Sequence, residues 1–344
     1  MNNLKYSRNG IQEFFWPINN NDTQKVIRDV IHETVIFFRS LSHDQSRETI
    51  LLKVANTFFL SKVLSVYYIK ASEKEFLRKS HHDISVDFLS QKDNLLSQNK
   101  YLEHLRTGLR REVKSNPGFY GLVIDGLKTV IKNDGFTRRN IKYIPNYSGK
   151  IICTGGGDAA QRYLKDTQQK AFLVKIGNFY PFQIKDSAIY KNIKSIRYKA
   201  SYIEYIDFIR VFFRSNNIDL STREFEDLIN WLDHFLAYTI EYFHMLEAPS
   251  NKIPKILWTS SAGILWNRLL AIKVRENGGE VLVFDHANGA NINSNTFMPF
   301  VECQDLDTFV TFSSVQKKYF EEKLATQIYN LFPKPNIVAL TNIE

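Results

Sequence analysis

Residues 256–291 read ILWTSSAGILWNRLLAIKVRENGGEVLVFDHANGAN. Ile256–Thr259 is a short, β-rich apolar run. It passes through Ser260-Ser261-Ala262-Gly263 into a segment whose apolar residues recur at helical spacing. Gly278-Gly279 breaks that helix, and Val281-Leu282-Val283 forms a second buried strand. Phe284–Asn291 then turns polar and carries His286. The pattern predicts a βαβ unit, whose two strands run parallel because a crossover helix joins them. In open parallel sheets ligands bind outside the carboxyl ends of the strands. Ser260, Ser261, Asp285, His286, Asn288 and Gly289 all fall there, which suits a phosphorylated or sugar-like small molecule.

Working outward, the same alternation continues. Phe309–Phe312 reads as a strand, Val315–Ala325 as a helix and Asn336–Leu340 as a further strand. Upstream, Lys150–Thr154 is a short strand leading into Gly155-Gly156-Gly157-Asp158, Ala159–Leu164 opens a helix, and Phe172–Ile176 is another strand. The fold class is therefore α/β, with a Rossmann-like parallel sheet over residues 141–344. Two aromatic-rich helices lie between 200 and 247, split near Asn216-Asn217. The second opens at Ser221-Thr222, with Glu224 placed for a capping box. Residues 1–140 are expected to be mainly helical, with helices at Asp22–Ser40, Arg47–Ile69, Leu95–Leu109 and Gly121–Lys132. The sequence stops after a strand that should begin another unit. That is either the natural end of one domain or a truncation before a second, nucleotide-binding one.

Composition sets outer bounds. The 344 residues suffice for about two domains. The 44% apolar residues can build proper cores, and 26 Phe and 17 Tyr are read mostly as core. A net charge of +9 favours an anionic partner, but the basic residues are dispersed and form no run of five. No signature of a nucleic-acid-binding module accompanies that charge, so no nucleic-acid partner is expected. Cys153 and Cys303 are the two cysteines, without CxxC spacing or a disulfide framework. The N-terminus lacks the apolar core of a signal peptide, and no stretch approaches the ~18 apolar residues of a membrane span. A cytoplasmic protein is expected, with a peripheral contact at the inner face of the membrane as an option.

Two strand ends carry the candidate chemistry. The Gly155-Gly156-Gly157 loop permits close backbone approach and directs N–H groups at an anion, although neither GxGxxG nor the P-loop pattern is present. Asp158 suits the helix dipole in the first helical turn. It is also a carboxylate available as general base or as nucleophile toward an anomeric carbon. His286 suits acid/base work near neutral pH. Ser260 and Ser261 can cap the following helix or hold a phosphate; the GxSxG elbow of serine hydrolases is absent. Trp266 reads as core and Arg268 as a partner for phosphate or as surface. Asn288-Gly289 reads as a turn that brings backbone close to a ligand. His81-His82-Asp83 lacks spaced partner ligands, and His234 and His244 sit among aromatics, so no metal is expected.

Trp266-Asn267-Arg268 on the helix, and Phe284-Asp285-His286-Ala287-Asn288-Gly289 after the second strand, resemble bacterial surface-carbohydrate glycosyltransferases of the GT-B type. Transferases of Kdo and nonulosonates for capsule and lipopolysaccharide are the nearest in pattern. Asp307–Phe320 resembles the strand and helix that follow in that family. The sequence departs from the pattern in having Asp285 before the histidine and glycine three positions after it. The resemblance implies transfer of a sugar from a nucleotide-activated donor, a CMP-sugar favoured, to a glycan or lipid-linked glycan acceptor. No cofactor is needed beyond the nucleotide-sugar substrate. Asp158 and His286 would be catalytic; Gly155, Gly156, Gly157, Ser260, Ser261, Arg268, Asp285, Asn288 and Gly289 would bind substrate. The alternative is a non-catalytic carbohydrate- or partner-binding module of polysaccharide assembly.

Overall fold

The computed structural model describes residues 5–6, 12–13, 20–41, 46–79, 136–138, 150–155, 157–174, 176, 179–180, 185–246, 253–285, 297–326 and 330–340. β1 (Lys5–Tyr6) and β2 (Gln12–Glu13) pair as a short antiparallel ribbon. Helices α1 (Asn20–Ser40) and α2 (Arg47–Lys79) follow, then β3 (Phe136–Arg138). The α/β portion runs β4 (Ile151–Cys153), α3 (Asp158–Thr167), β5 (Ala171–Leu173), α4 (Asp186–Arg197), α5 (Ala200–Ser215), α6 (Thr222–Met245), β6 (Ile256–Thr259), α7 (Leu265–Glu276), β7 (Glu280–Phe284), α8 (Phe297–Glu302), β8 (Thr308–Thr311), α9 (Ser314–Ala325) and β9 (Asn336–Ala339). The helices expected at Leu95–Leu109 and Gly121–Lys132 lie outside the described residues.

Seven strands form one sheet in the order β3-β5-β4-β6-β7-β8-β9, and every neighbouring pair is parallel. The α/β class and the Rossmann-like parallel sheet expected from the sequence are present, with helices α1 and α2 ahead of them. The chain changes direction twice, passing from β3 over the place of β5 to β4 before it turns back. From β4 the chain steps to β5 on one side, then crosses back to β6 on the other side of β4. The crevice at the carboxyl ends of β4 and β6 is thus the topological switch point, where this class of sheet opens for a ligand.

Period-2 alternation sends side chains to two faces. Ile152, Leu257, Val281, Val283, Phe309 and Ile337 enter the large core shared with the helices. Cys153, Trp258, Leu282, Phe284 and Val310 form a smaller core with Ala159, Ala160 and Leu164 of α3. Burial on both faces explains why the strands are continuous apolar runs.

α2 lies within the larger core. Val54, Ala55, Phe59, Leu60 and Val63 are fully buried, Phe59 stacks on Trp231 of α6 at 5.5 Å, and Trp231 stacks on Phe235 at 4.9 Å. The segment Arg47–Ser72 is long and apolar enough to cross a membrane, with mean hydropathy 1.4, which corrects the expectation that no stretch approaches a span. Packing accounts for that apolarity: 72% of its most apolar window is buried inside the fold. At α6 the expected capping box is complete, with Ser221 Oγ accepting from the Glu224 amide at 3.3 Å and Glu224 Oε2 from the Ser221 amide at 2.9 Å.

Candidate functional site

The loops after β4 and β6 meet at the switch point. The ladder runs past the strands, with the Thr154 amide donating to Trp258 O at 2.8 Å. Asn267, in the first turns of α7, stitches the two loops together. It accepts from Thr154 Oγ1 at 3.2 Å and donates through Nδ2 to Ser261 O at 2.9 Å. A Cβ added to Gly155 would lie 2.2 Å from Ser260 Oγ, so glycine is required there for the loops to touch. Behind the contact, Tyr163 of α3 packs edge-on against Trp258 and Phe284 at 5.4 and 5.6 Å, fixing α3 to the sheet.

Gly157 answers to a different demand. It is the N-cap of α3 with φ −74° and ψ 171°, a backbone that any residue adopts, and as glycine it offers no side-chain cap. An added Cβ would meet nothing within 4 Å. Among the described residues neither conformation nor packing therefore asks for glycine at this position. Asp158 follows, exposed, in the first turn.

The β6–α7 loop is filled from within. The Glu302 carboxylate, at the end of α8, accepts from Ser261 Oγ at 3.0 Å and from the amides of Ala262 and Gly263 at 3.0 Å each. The N–H groups that could cradle a ligand anion before α7 are thus turned to an internal one. Arg268 is fully buried rather than surface-facing. Its guanidinium donates to Ala262 O at 3.0 and 2.8 Å and to Val301 O, tying the loop to α8. Burial brings its pKa down to about 10, against the opposing fields of Glu302 and Asp305, so the cation persists at neutral pH. Among the described residues its buried Nη1 has no hydrogen-bond partner.

Asp285 closes the next strand end. Its amide donates to Val310 O at 2.9 Å, and its Oδ2 accepts from Gln316 Nε2 at 3.0 Å. Gln316 Oε1 in turn accepts from the Phe312 amide at 2.9 Å, so Asp285 pins the β7 end to the β8–α9 turn. Trp266 is core: it packs edge-on against Tyr242 at 4.5 Å, and its carbonyl accepts from Tyr180 Oη at 2.8 Å. Cys153 lies under the Gly155 loop, where its thiol donates to Gly155 O at 3.2 Å and burial pushes its pKa up to about 12. It is no nucleophile at neutral pH.

The structure places Gly155, Gly157 and Asp158 after β4 and Ser260 and Ser261 after the adjacent β6, with Gly155 against Ser260 and Ser261 buried on Glu302, and it places Asp285 on the same sheet edge two strands along from β4. Gly156, His286, Asn288 and Gly289 lie outside the described residues. Among the described residues no group of three or more His, Cys, Asp or Glu is placed to hold a metal ion. The sequence reading missed Asn267, Glu302 and Gln316. Their partners lie as many as 113 positions away, so no local pattern marks them. Comparison with protein-family models, with curated proteins and with solved structures finds no match to this chain.

Proposed function

We propose that the chain is a glycosyltransferase domain of surface-polysaccharide assembly that binds a nucleotide-activated sugar at the β4/β6 switch point. One observation carries the reading: the room at Gly157 among the described residues, beside the exposed Asp158 and at the carboxyl edge where the strand order reverses. An anionic donor gains there from the α3 N-terminal N–H groups, and the net charge of +9 favours its approach. Asp158 acts as general base toward the acceptor hydroxyl, or as nucleophile at the anomeric carbon. His286 assists proton transfer or contacts the donor phosphate. The acceptor is a glycan or lipid-linked glycan, and the protein works in the cytoplasm at the inner face of the membrane.

The test is transfer from CMP- and UDP-sugars to lipid-linked or free glycan acceptors by wild type and Asp158→Asn. Loss of turnover in a folded Asp158→Asn supports the role; unchanged turnover refutes it. A second reading, a non-catalytic carbohydrate-binding module of the same assembly, is favoured by one fact. Arg268 and Ser261, expected to meet a phosphate, are bonded inside the chain instead. Binding of glycan without any affinity for nucleotide-sugars would establish it.

A further inference from the structure

Helix α4 has one side in the fold and one side outside it. Ile189 and Ile196 are buried, and Ile193 packs beside them on the large core. Asn192 pins the same side to α6, donating through Nδ2 to Ala237 O at 3.3 Å and to Glu241 Oε2 at 3.2 Å. The outer side is aromatic and basic. Tyr190, Lys194 and Tyr198 recur at every fourth position, so they share one stripe of the helix, with Lys191 beside it. Tyr190 is 62% exposed and Tyr198 85%, and Lys194 Nζ lies over the Tyr190 ring at 4.6 Å. Ile203, 49% exposed, follows in the first turn of α5.

The cations here differ in what they already bind. Arg197 is committed to buried Asp233, with Nε donating to Oδ2 at 2.8 Å, and Lys199 pairs with Glu48 at 3.8 Å. Lys185, Lys191 and Lys194 are exposed and form no ion pair among the described residues. The one carboxylate of α4, Asp186, already interacts within the chain. Counted at full charge against these three lysines, it still leaves two positive charges. An anionic lipid surface uses both parts of this face. Tyrosine rings settle at headgroup level, where one end is apolar and the other wet. Lysine stems lie along apolar surface while their ammonium groups reach lipid phosphate. A phosphodiester chain would leave Ile203 unused, and a soluble anion would leave the rings unused. We propose that the outer side of α4 lies on an anionic membrane surface. This rests on the proposed work at the inner face of the membrane, and it names the face that makes the contact.

The test is flotation of the full chain with vesicles of mixed phosphatidylglycerol and phosphatidylcholine, and with phosphatidylcholine alone. The proposal expects binding to the anionic vesicles only, weakening as salt rises. Lys191→Glu with Lys194→Glu should weaken it about tenfold or more. Tyr190→Ser with Tyr198→Ser leaves the net charge unchanged and should weaken it about threefold or more. Lys317→Glu with Lys318→Glu alters the net charge equally on α9, a helix packed against β8 and β9, and should leave most of the binding. Circular dichroism follows the fold of each variant. The proposal is overturned if folded wild type ignores anionic vesicles, if the α9 pair matters as much as the α4 pair, or if the tyrosine changes have no effect. Tighter binding of single-stranded RNA than of vesicles, lost in the α4 variants, would overturn it in favour of nucleic acid. Nucleotide-sugar titration needs no vesicle, so failure of that reading and failure of this contact are distinguishable.

Discussion

An added Cβ at Gly155 would lie 2.2 Å from Ser260 Oγ and 2.9 Å from Ser260 Cβ. Gly155→Ala should therefore cost about 1–3 kcal/mol, the usual penalty for overpacking. Adding Ser260→Gly should recover most of it, which denaturant unfolding of the single and double variants would measure as a coupling. Gly157 carries no such packing duty, so it separates stability from ligand access. At Glu302 several donors converge on one buried carboxylate beside a buried guanidinium. Glu302→Ala leaves those amides orphaned and removes the larger of the two anionic fields acting on Arg268. A loss of about 3 kcal/mol or more is expected on unfolding; a loss under ~1 kcal/mol would show that the loop does not depend on this internal anion.

Helix α6 presents the element whose local signal was plainest. Ser221 and Glu224 were legible as a capping pair because both partners lie within one turn. Burial works against the Glu224 carboxylate, but hydrogen bonds from the Ser221 backbone and hydroxyl and from Lys70 bring its pKa down to about 2 from 4.5. A depressed carboxyl stabilises the fold above its unfolded value and loses that contribution as pH falls through the folded one. Wild type should thus lose stability from pH ~5 down to ~2 more steeply than Glu224→Gln, as thermal melts across that window would show. Helix α4 was passed over although Ile189, Ile193 and Ile196 recur at helical spacing and pack on the large core. α8 is a single short turn of helix whose role, presenting Glu302 to a loop 40 positions away, leaves no trace in its own segment.

Across the whole molecule, the parallel sheet was legible because each buried strand is a short apolar run between helical periods. The strand order was not, since local pattern does not say on which side of β4 the chain returns. The sequence divides at about residue 140, yet α1 and α2 share one continuous core with α6, α7 and the sheet. A fragment beginning at residue 150 would expose the face of α6 that stacks on Phe58 and Phe59, and should lack cooperative unfolding. Cys153 and Cys303 are both buried, and burial raises both thiols. Neither should react with an aromatic disulfide reagent before global unfolding; fast labelling of either would reveal local opening. The central claim is that the β4/β6 crevice holds a nucleotide-activated sugar. Its most direct test is calorimetric titration of CMP- and UDP-sugars into wild type and Gly157→Phe. Among the described residues nothing lies within 4 Å of its Cβ, and the change costs up to about 1 kcal/mol in capping. The account predicts saturable one-to-one binding by wild type and its loss in a folded Gly157→Phe. No binding by wild type, or equal binding by the variant, would contradict it.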